Sequence, residues 1–452
     1  MGMPPLASGP HGPDALRPLC DTVLDALRAG AAARGGPLPA GGPGTVTARI
    51  RDALGDVLPD HGDADALRTL VTALAEGAAD PAHPLCAAHL HGPPLAVATA
   101  ADLAASALNP SLDSWDQAPA ASALEALVTR ALAREAGAAD ALVTTGGTES
   151  NQLAVLLARE KHGSGLRLLH GAGAHHSLPR AAWLLGLPEP VTVPAPAGTL
   201  DPGALDEALT TVPGPHLVAA TAGTTDAGLI DPLREIARRC AAHGARLHID
   251  AAYGGGLLFS ERHRARLTGL DAAHTITLDL HKLGWQPIAA GLLAVKDPDD
   301  LTALHQHADY LNADDDTDAG LPDLLGRSPR TSRRPDILKV AVTLKTLGRS
   351  GLGALVDGVC ARAEEFAGLV DAHPRLTLHA PPTISTVLFR PAHATDSAVA
   401  GVRRDLLTTG RAVLGRARAG GRLWLKATFL NPHIRTEDLT GLISLVEGHT
   451  PR

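Results

Sequence analysis

The stretch Thr277-Leu-Asp-Leu-His-Lys-Leu-Gly-Trp-Gln-Pro-Ile-Ala-Ala-Gly291 sets a single lysine, Lys282, after a short apolar run and before mostly uncharged residues. An ammonium is costly to desolvate, and removing its water lowers its pKa. A lysine so placed is suited to attack a carbonyl; the plainer reading is a strand-end lysine that reaches solvent along its stem. Upstream, Leu247-His-Ile-Asp-Ala-Ala-Tyr-Gly-Gly-Gly256 ends an apolar strand on Asp250 and continues with small residues. A carboxylate there, with open space above it, suits a flat cationic ring. It is also the residue type that caps a following helix.

Working outward, short apolar strands alternate with helical patterns from about Leu95, which predicts an α/β sheet with crossover helices. The expected strands are Ala141–Thr144, Leu166–Leu169, Val191–Pro194, Leu217–Thr221, Leu247–Asp250, Thr275–Leu278 and Gly291–Val295. Helices are expected at Ala120–Ala136 and Glu149–Lys161. Toward the N-terminus, Leu16, Leu19, Val23 and Leu27 recur at helical spacing within Asp14–Ala33, a second helix is predicted at Asp65–Gly77, and Gly35–Gly44 reads as a loop. After Leu347 the sequence GRSGLG reads as a break, followed by a helix over Ala354–Ala372 and a smaller αβ pattern. Three regions are therefore expected: 1–94, a helical arm; 95–347, a large domain; and 348–452, a small C-terminal αβ domain.

The 452 residues suffice for that arrangement. With 45% hydrophobic and only 2% aromatic residues, the core must be mainly aliphatic. A net charge of -8 and no dense Lys/Arg run give no electrostatic support for nucleic acid or an anionic membrane. Cys20, Cys86, Cys240 and Cys360 are far apart and form no CxxC pair, which fits a reducing cytoplasm. No basic leader followed by an apolar stretch opens the chain, and no apolar run approaches membrane-spanning length, so a soluble, unprocessed protein is expected.

Eight segments in order carry a resemblance: HPLCAAHLHGPP from His83, NPSLDSWDQAPA from Asn109, TTGGTESN from Thr144, AHHSL from Ala174, TAGTTDAG from Thr221, HIDAAYGG from His248, DLHK from Asp279 and TSRRPDILK from Thr331. Together they resemble the group II pyridoxal-phosphate amino-acid decarboxylases, over about Leu74 to the C-terminus, and most of all the 2,4-diaminobutyrate and lysine decarboxylase-like members. The resemblance implies a fold type I enzyme with a mainly parallel seven-stranded sheet, bound pyridoxal 5'-phosphate, and a homodimer across which the 1–94 arm packs.

It also implies roles. Lys282 would hold the cofactor's aldehyde and Asp250 would keep its ring nitrogen protonated, so that the ring accepts electrons. Gly147, Thr148 and Glu149 match the phosphate loop, where backbone N–H groups at a helix start face an anion; Glu149 would contribute its N–H while its carboxylate points away. His281 would contact the phosphate. His175 would stack on the ring, with His176 and Ser177 next to it; Thr225 would bond the ring's phenolic oxygen, and Ala252 would lie beneath the ring. His170, His175 and His176 fit no common zinc spacing, so no metal is expected, and no glycine-rich run has the context of a nicotinamide site.

The chain departs from the aromatic members of that family in three places. Asp279 replaces an Asn. An ungapped count puts Leu324 where a mobile-loop Tyr would protonate Cα, which makes His175 the first candidate for that step and leaves an oxidative, aldehyde-forming route as an alternative. Asp113 stands where the aromatic members carry a Phe, Asp116 lies three residues on, and His89 and His91 replace a Tyr and a Pro. A carboxylate in place of a ring wall offers a partner for a distal ammonium, so the expected substrate is 2,4-diaminobutyrate, ornithine or lysine. Asp113 as a helix cap or arginine partner, an aromatic or small aliphatic substrate, and a non-catalytic cofactor-binding scaffold are the other readings.

Overall fold

The computed structural model describes residues 3–450. One compact unit comprises residues 94–361 and 382–385, and the other comprises the described residues up to 93 together with 362–381 and 386–450.

The first unit is built on seven strands: β1 (Asp140–Thr144), β2 (Arg167–Gly171), β3 (Val191–Val193), β4 (His216–Thr221), β5 (Arg246–Ala251), β6 (Thr275–Asp279) and β7 (Gly291–Val295). Their order in the sheet is β1-β7-β6-β5-β4-β2-β3. Only β7 runs antiparallel to its neighbours, because the short link from β6 contains no crossover helix to return the chain to the other end. Every residue of β1, β5, β6 and β7 is buried, as expected of strands covered on both faces. Helix Gly147–His162 supplies Leu153, Ala154 and Leu157 to a cluster with Leu142, Leu293 and Val295. Its Val155 and Ala158 join a second cluster with Leu168, Leu178 and Leu217.

Register then fixes the chemistry. Asp250 pairs with Thr221 on one side and Thr277 on the other. Gly291 pairs with both Asp279 and Thr144. The C-terminal ends of β1, β4, β5 and β6 are thereby brought side by side, which is where α/β sheets place their sites.

The second unit carries a five-stranded sheet ordered Cys86–Ala87, Val413–Ala419, Arg422–Thr428, Thr386–Pro391, Leu376–Leu378. Its core includes Phe366, Phe389 and Phe429, and the ring of Phe366 meets each of the other two edge-on with centroids 5.1 Å apart. Helices Gly12–Arg34, Gly42–Leu54 and Ala66–Gly77 belong to the same unit. A Cβ on Gly30 would lie 2.5 Å from the Thr72 carbonyl oxygen, so a glycine is what lets the first and third of these helices approach.

Two local expectations need correction. The loop over Gly35–Gly44 is shorter than its composition implies, because a helix starts at Gly42 with a proline in its first turn. The segment GRSGLG does break the chain, at Gly348, whose φ of 64° a glycine adopts freely and which separates two helices, but the second helix begins just after it rather than at Ala354 and runs to Asp371. Among the described residues no helix is long and apolar enough to cross a membrane.

Candidate active site

Three sheet-end loops and one helix start converge. Following β6, Lys282 sets its Nζ 2.9 Å from Asp279 Oδ2, and His281 Nε2 lies 3.5 Å from the same oxygen. Following β1, the chain turns through Gly146 into the helix that begins at Gly147. A Cβ on Gly146 would sit 3.0 Å from His281 Cε1, and one on Gly147 would sit 3.0 Å from Ala252 Cβ and 3.1 Å from Asp279 Oδ2. Following β5, the backbone N–H of Ala252 donates to Asp250 Oδ1 at 3.1 Å. The loop after β2 brings His175 close enough for Asp250, Lys282 and Asp279 all to act on its charge.

Asp250 is oriented by Asn151, whose Nδ2 donates to Asp250 Oδ2 at 2.8 Å and to Ser177 Oγ at 2.9 Å. The Asn151 carbonyl oxygen accepts from His248 Nε2 at 2.9 Å and Thr277 Oγ1 at 2.8 Å. Ser177 Oγ in turn lies 2.8 Å from His175 Nδ1. Burial, and then the neighbouring His176 and Lys282, push the His175 imidazole below its ordinary value against the pull of Asp250 and Asp279. Burial lowers His281 as well, and it lowers the fully enclosed His248 to about 4.

The Glu149 carboxylate folds back on the turn that precedes the helix. Its Oε2 accepts from the Thr145 N–H at 2.6 Å and hydroxyl at 2.8 Å, while Oε1 takes the Arg330 Nε at 3.0 Å. Thr148 lies in the first turn of the same helix. Thr225 is exposed in the loop after β4. The exposed ring of His176 lies 4.1 Å from that of His175.

Asp113 is 7% exposed. It accepts from Gln117 Nε2 at 2.8 Å, neither caps the helix Pro119–Glu135 nor pairs with an arginine, and its Oδ2 bonds no described residue. Asp116 is exposed and accepts from Ser114 Oγ at 2.5 Å. The segment is held by the Leu112 N–H on the Arg333 carbonyl at 2.8 Å, while the Arg333 guanidinium binds both oxygens of buried Glu125. Leu324 is buried against Leu112 and Ala118. His89 belongs to the other unit, where partial desolvation and then Lys426, Arg403 and His91 hold its imidazole low.

Asn151, His248 and Thr277 were not singled out from the sequence. The available signal was periodicity: His248 lies two residues before Asp250 on one strand face, and Asn151 one helical turn beyond Gly147.

The arrangement is that of a cofactor enzyme at the C-terminal edge of an α/β sheet, and comparison gives the class. Residues 51–392 match the pyridoxal-dependent decarboxylase conserved domain. The chain is 40% identical over 418 residues, 88% of its length and 84% of the relative's, to L-2,4-diaminobutyrate decarboxylase of Rhizobium meliloti (strain 1021). It is 31% identical over 410 residues to the L-2,4-diaminobutyrate decarboxylase of Acinetobacter baumannii, covering 82% of this chain and 80% of that one. The glutamate decarboxylase domain of diaminobutyrate-pyruvate transaminase and L-2,4-diaminobutyrate decarboxylase from Vibrio parahaemolyticus matches with a TM-score of 0.86 at 31% identity, over 98% of this chain and 97% of that one. Oryza sativa TDC, solved with PLP and tryptamine, shares the fold with a TM-score of 0.88 at 23% identity, over 98% and 99%. The chain belongs to the pyridoxal-dependent decarboxylase family. It is a pyridoxal-phosphate-dependent amino-acid decarboxylase of fold type I.

The residues fit the cofactor. Asp279 Oδ1 and His281 Nδ1 are buried without a hydrogen-bond partner among the described residues, and the glycine turn before the helix is bare backbone that a Cβ would fill. The helix start would offer N–H groups to a phosphate, Lys282 lies 2.9 Å from the Asp279 carboxylate, and Asp250 would face a ring nitrogen. Bound there, pyridoxal phosphate supplies a sink for the electron pair that remains on Cα when CO₂ leaves.

Proposed function

We propose that the chain decarboxylates an L-amino acid with a basic side chain, 2,4-diaminobutyrate first, with ornithine and lysine as the alternatives. Asp113 carries this reading: a buried carboxylate with one oxygen tied to Gln117 is tolerated when a cation completes it. The 40% identity to a protein named L-2,4-diaminobutyrate decarboxylase supports the same choice. Asp116 contributes negative potential from the surface of that segment, and His89 is a further candidate for a substrate contact.

Within the site, Lys282 is the lysine that binds the cofactor aldehyde. Asp250 meets the ring nitrogen, His175 lies against one ring face, and Ala252 leaves the other clear. Gly147, Thr148 and Glu149 give the phosphate their backbone N–H groups, His281 adds a side chain to it, and Thr225 bonds the phenolic oxygen. The enzyme works as a cytoplasmic homodimer: residues 1–94 are the arm that packs on the partner, 95–347 the cofactor-binding domain and 348–452 the small domain.

A screen of the twenty amino acids with ornithine and diaminobutyrate, measuring CO₂ and amine, tests the substrate and is repeated with Asp113→Asn. Diaminobutyrate is expected to lead, and the variant to lose at least tenfold in kcat/KM for it, as for a buried ion pair stripped of one partner. Preference for tyrosine, tryptophan or a small aliphatic acid, or an unaffected variant, would end the distal-ammonium reading. Amine should form in step with CO₂; hydrogen peroxide and ammonia in that proportion would establish the oxidative route instead.

A further inference from the structure

Donors and acceptors around Asn151 can be assigned one by one. Asp250 Oδ2 accepts, so the Asn151 atom 2.8 Å away is its NH₂. The amide oxygen, an acceptor only, then requires a proton on His248 Nε2 and donation from Thr277 Oγ1. The second amide hydrogen points to Ser177 Oγ. Oγ already accepts from Asn151 and keeps one hydrogen to give, and His175 Nδ1 lies 2.8 Å away. The Ser177 backbone N–H reaches the same nitrogen at 3.3 Å. Two donors thus converge on His175 Nδ1.

We infer that Asn151 and Ser177 are positioning residues that lock His175 in its Nε2–H tautomer and join it to Asp250 as one hydrogen-bonded unit. With Nδ1 held as an acceptor, His175 is a neutral imidazole whose single Nε2–H is a hydrogen-bond donor but a weak acid, so it is a fixed ring contact rather than the acid that protonates Cα. This rests on the cofactor placement proposed above, but the tautomer itself does not need the cofactor.

The test uses full-length apoenzyme and ¹⁵N imidazole NMR near pH 8, with His175→Asn identifying the resonance. Wild type should show a protonated Nε2 and an unprotonated, hydrogen-bonded Nδ1. Ser177→Ala should bring up the Nδ1–H form, and Ser177→Thr should restore the wild-type pattern. A wild-type Nδ1–H tautomer, an even mixture, or a Ser177→Ala pattern identical to wild type overturns the inference. Equilibrium titration with pyridoxal phosphate is the second readout. Asn151→Leu, which strips a donor from the Asp250 carboxylate, should weaken binding by roughly tenfold or more, and Ser177→Ala by less; the reverse order also overturns it. If Asn151→Leu does not fold, the serine series alone decides. Wild type that fails to bind the cofactor would sink the placement above while leaving the tautomer result intact.

Discussion

His248 is sealed within the site network as a neutral imidazole, and this makes stability depend on pH. Its folded pKa of about 4 lies below the ordinary 6.5 of the unfolded chain, so between those values the unfolded state binds more protons. The contribution is therefore complete above about pH 6.5 and is lost as pH falls toward 4, on the order of 3 kcal/mol in all. His175 and His281 are lowered too and act in the same direction. Chemical unfolding of the apoenzyme should show a lower stability at pH 5 than at pH 7.5, with His248→Gln flattening the slope; equal stability at both pH values in wild type would refute this. Lys282→Ala should lose the visible absorption band of the lysine-bound cofactor and all measurable turnover, and a variant that keeps both would place the attachment elsewhere. At this scale the sequence was informative where a residue type is rare in its setting: a lysine after a strand, an aspartate at a strand end, a histidine in a loop. It was silent on Asn151 and Thr277, ordinary polar residues whose roles arise only when strand register and a helix turn place them beside Asp250.

The start of helix Gly147–His162 presents backbone rather than side chains to the proposed phosphate site. Because the Cβ of Ala252 cannot swing aside, a methyl at position 147 must displace either that loop or the helix start. Gly147→Ala should accordingly weaken pyridoxal phosphate binding by at least tenfold in equilibrium titration, about the effect of 1.4 kcal/mol. The Arg330–Glu149 pair steadies the same turn, but its arginine side chain is 32% exposed, and pairs of that kind contribute about 1 kcal/mol or less. Arg330→Gln should therefore cost less than Gly147→Ala, and the opposite ranking would show that the pair, not the glycine, shapes the turn. All seven strands of the large sheet were legible as apolar runs, since buried strands carry their hydrophobicity continuously. Helix Gly42–Leu54 was not, because it has no buried residue to give it a periodic stripe and its first turn is glycine and proline. The break at Gly348 was legible, because glycine takes the left-handed φ that separates the helices on either side of it.

For the molecule as a whole, the open question is what covers the apolar residues of the N-terminal helices. Leu19, Leu24 and Leu27 of Gly12–Arg34 are 45%, 58% and 45% exposed, and Leu74 of Ala66–Gly77 is 66% exposed. Scattered surface leucines need no explanation, but a run of them on one helix marks an interaction face. The proposed homodimer would bury this face, and it follows that placing charges there should separate the subunits. Each carboxylate desolvated without a partner costs on the order of 1–3 kcal/mol or more, so Leu24→Glu with Leu27→Glu should weaken association by roughly tenfold at least. Sedimentation velocity at low micromolar concentration should show wild type as a dimer and the double variant as a folded monomer, its far-UV circular dichroism retained. If the partner completes the pocket around Asp113, decarboxylation should fall with the dimer fraction and recover as protein concentration rises. A wild-type chain that sediments as a fully active monomer would remove both the dimer and the shared pocket.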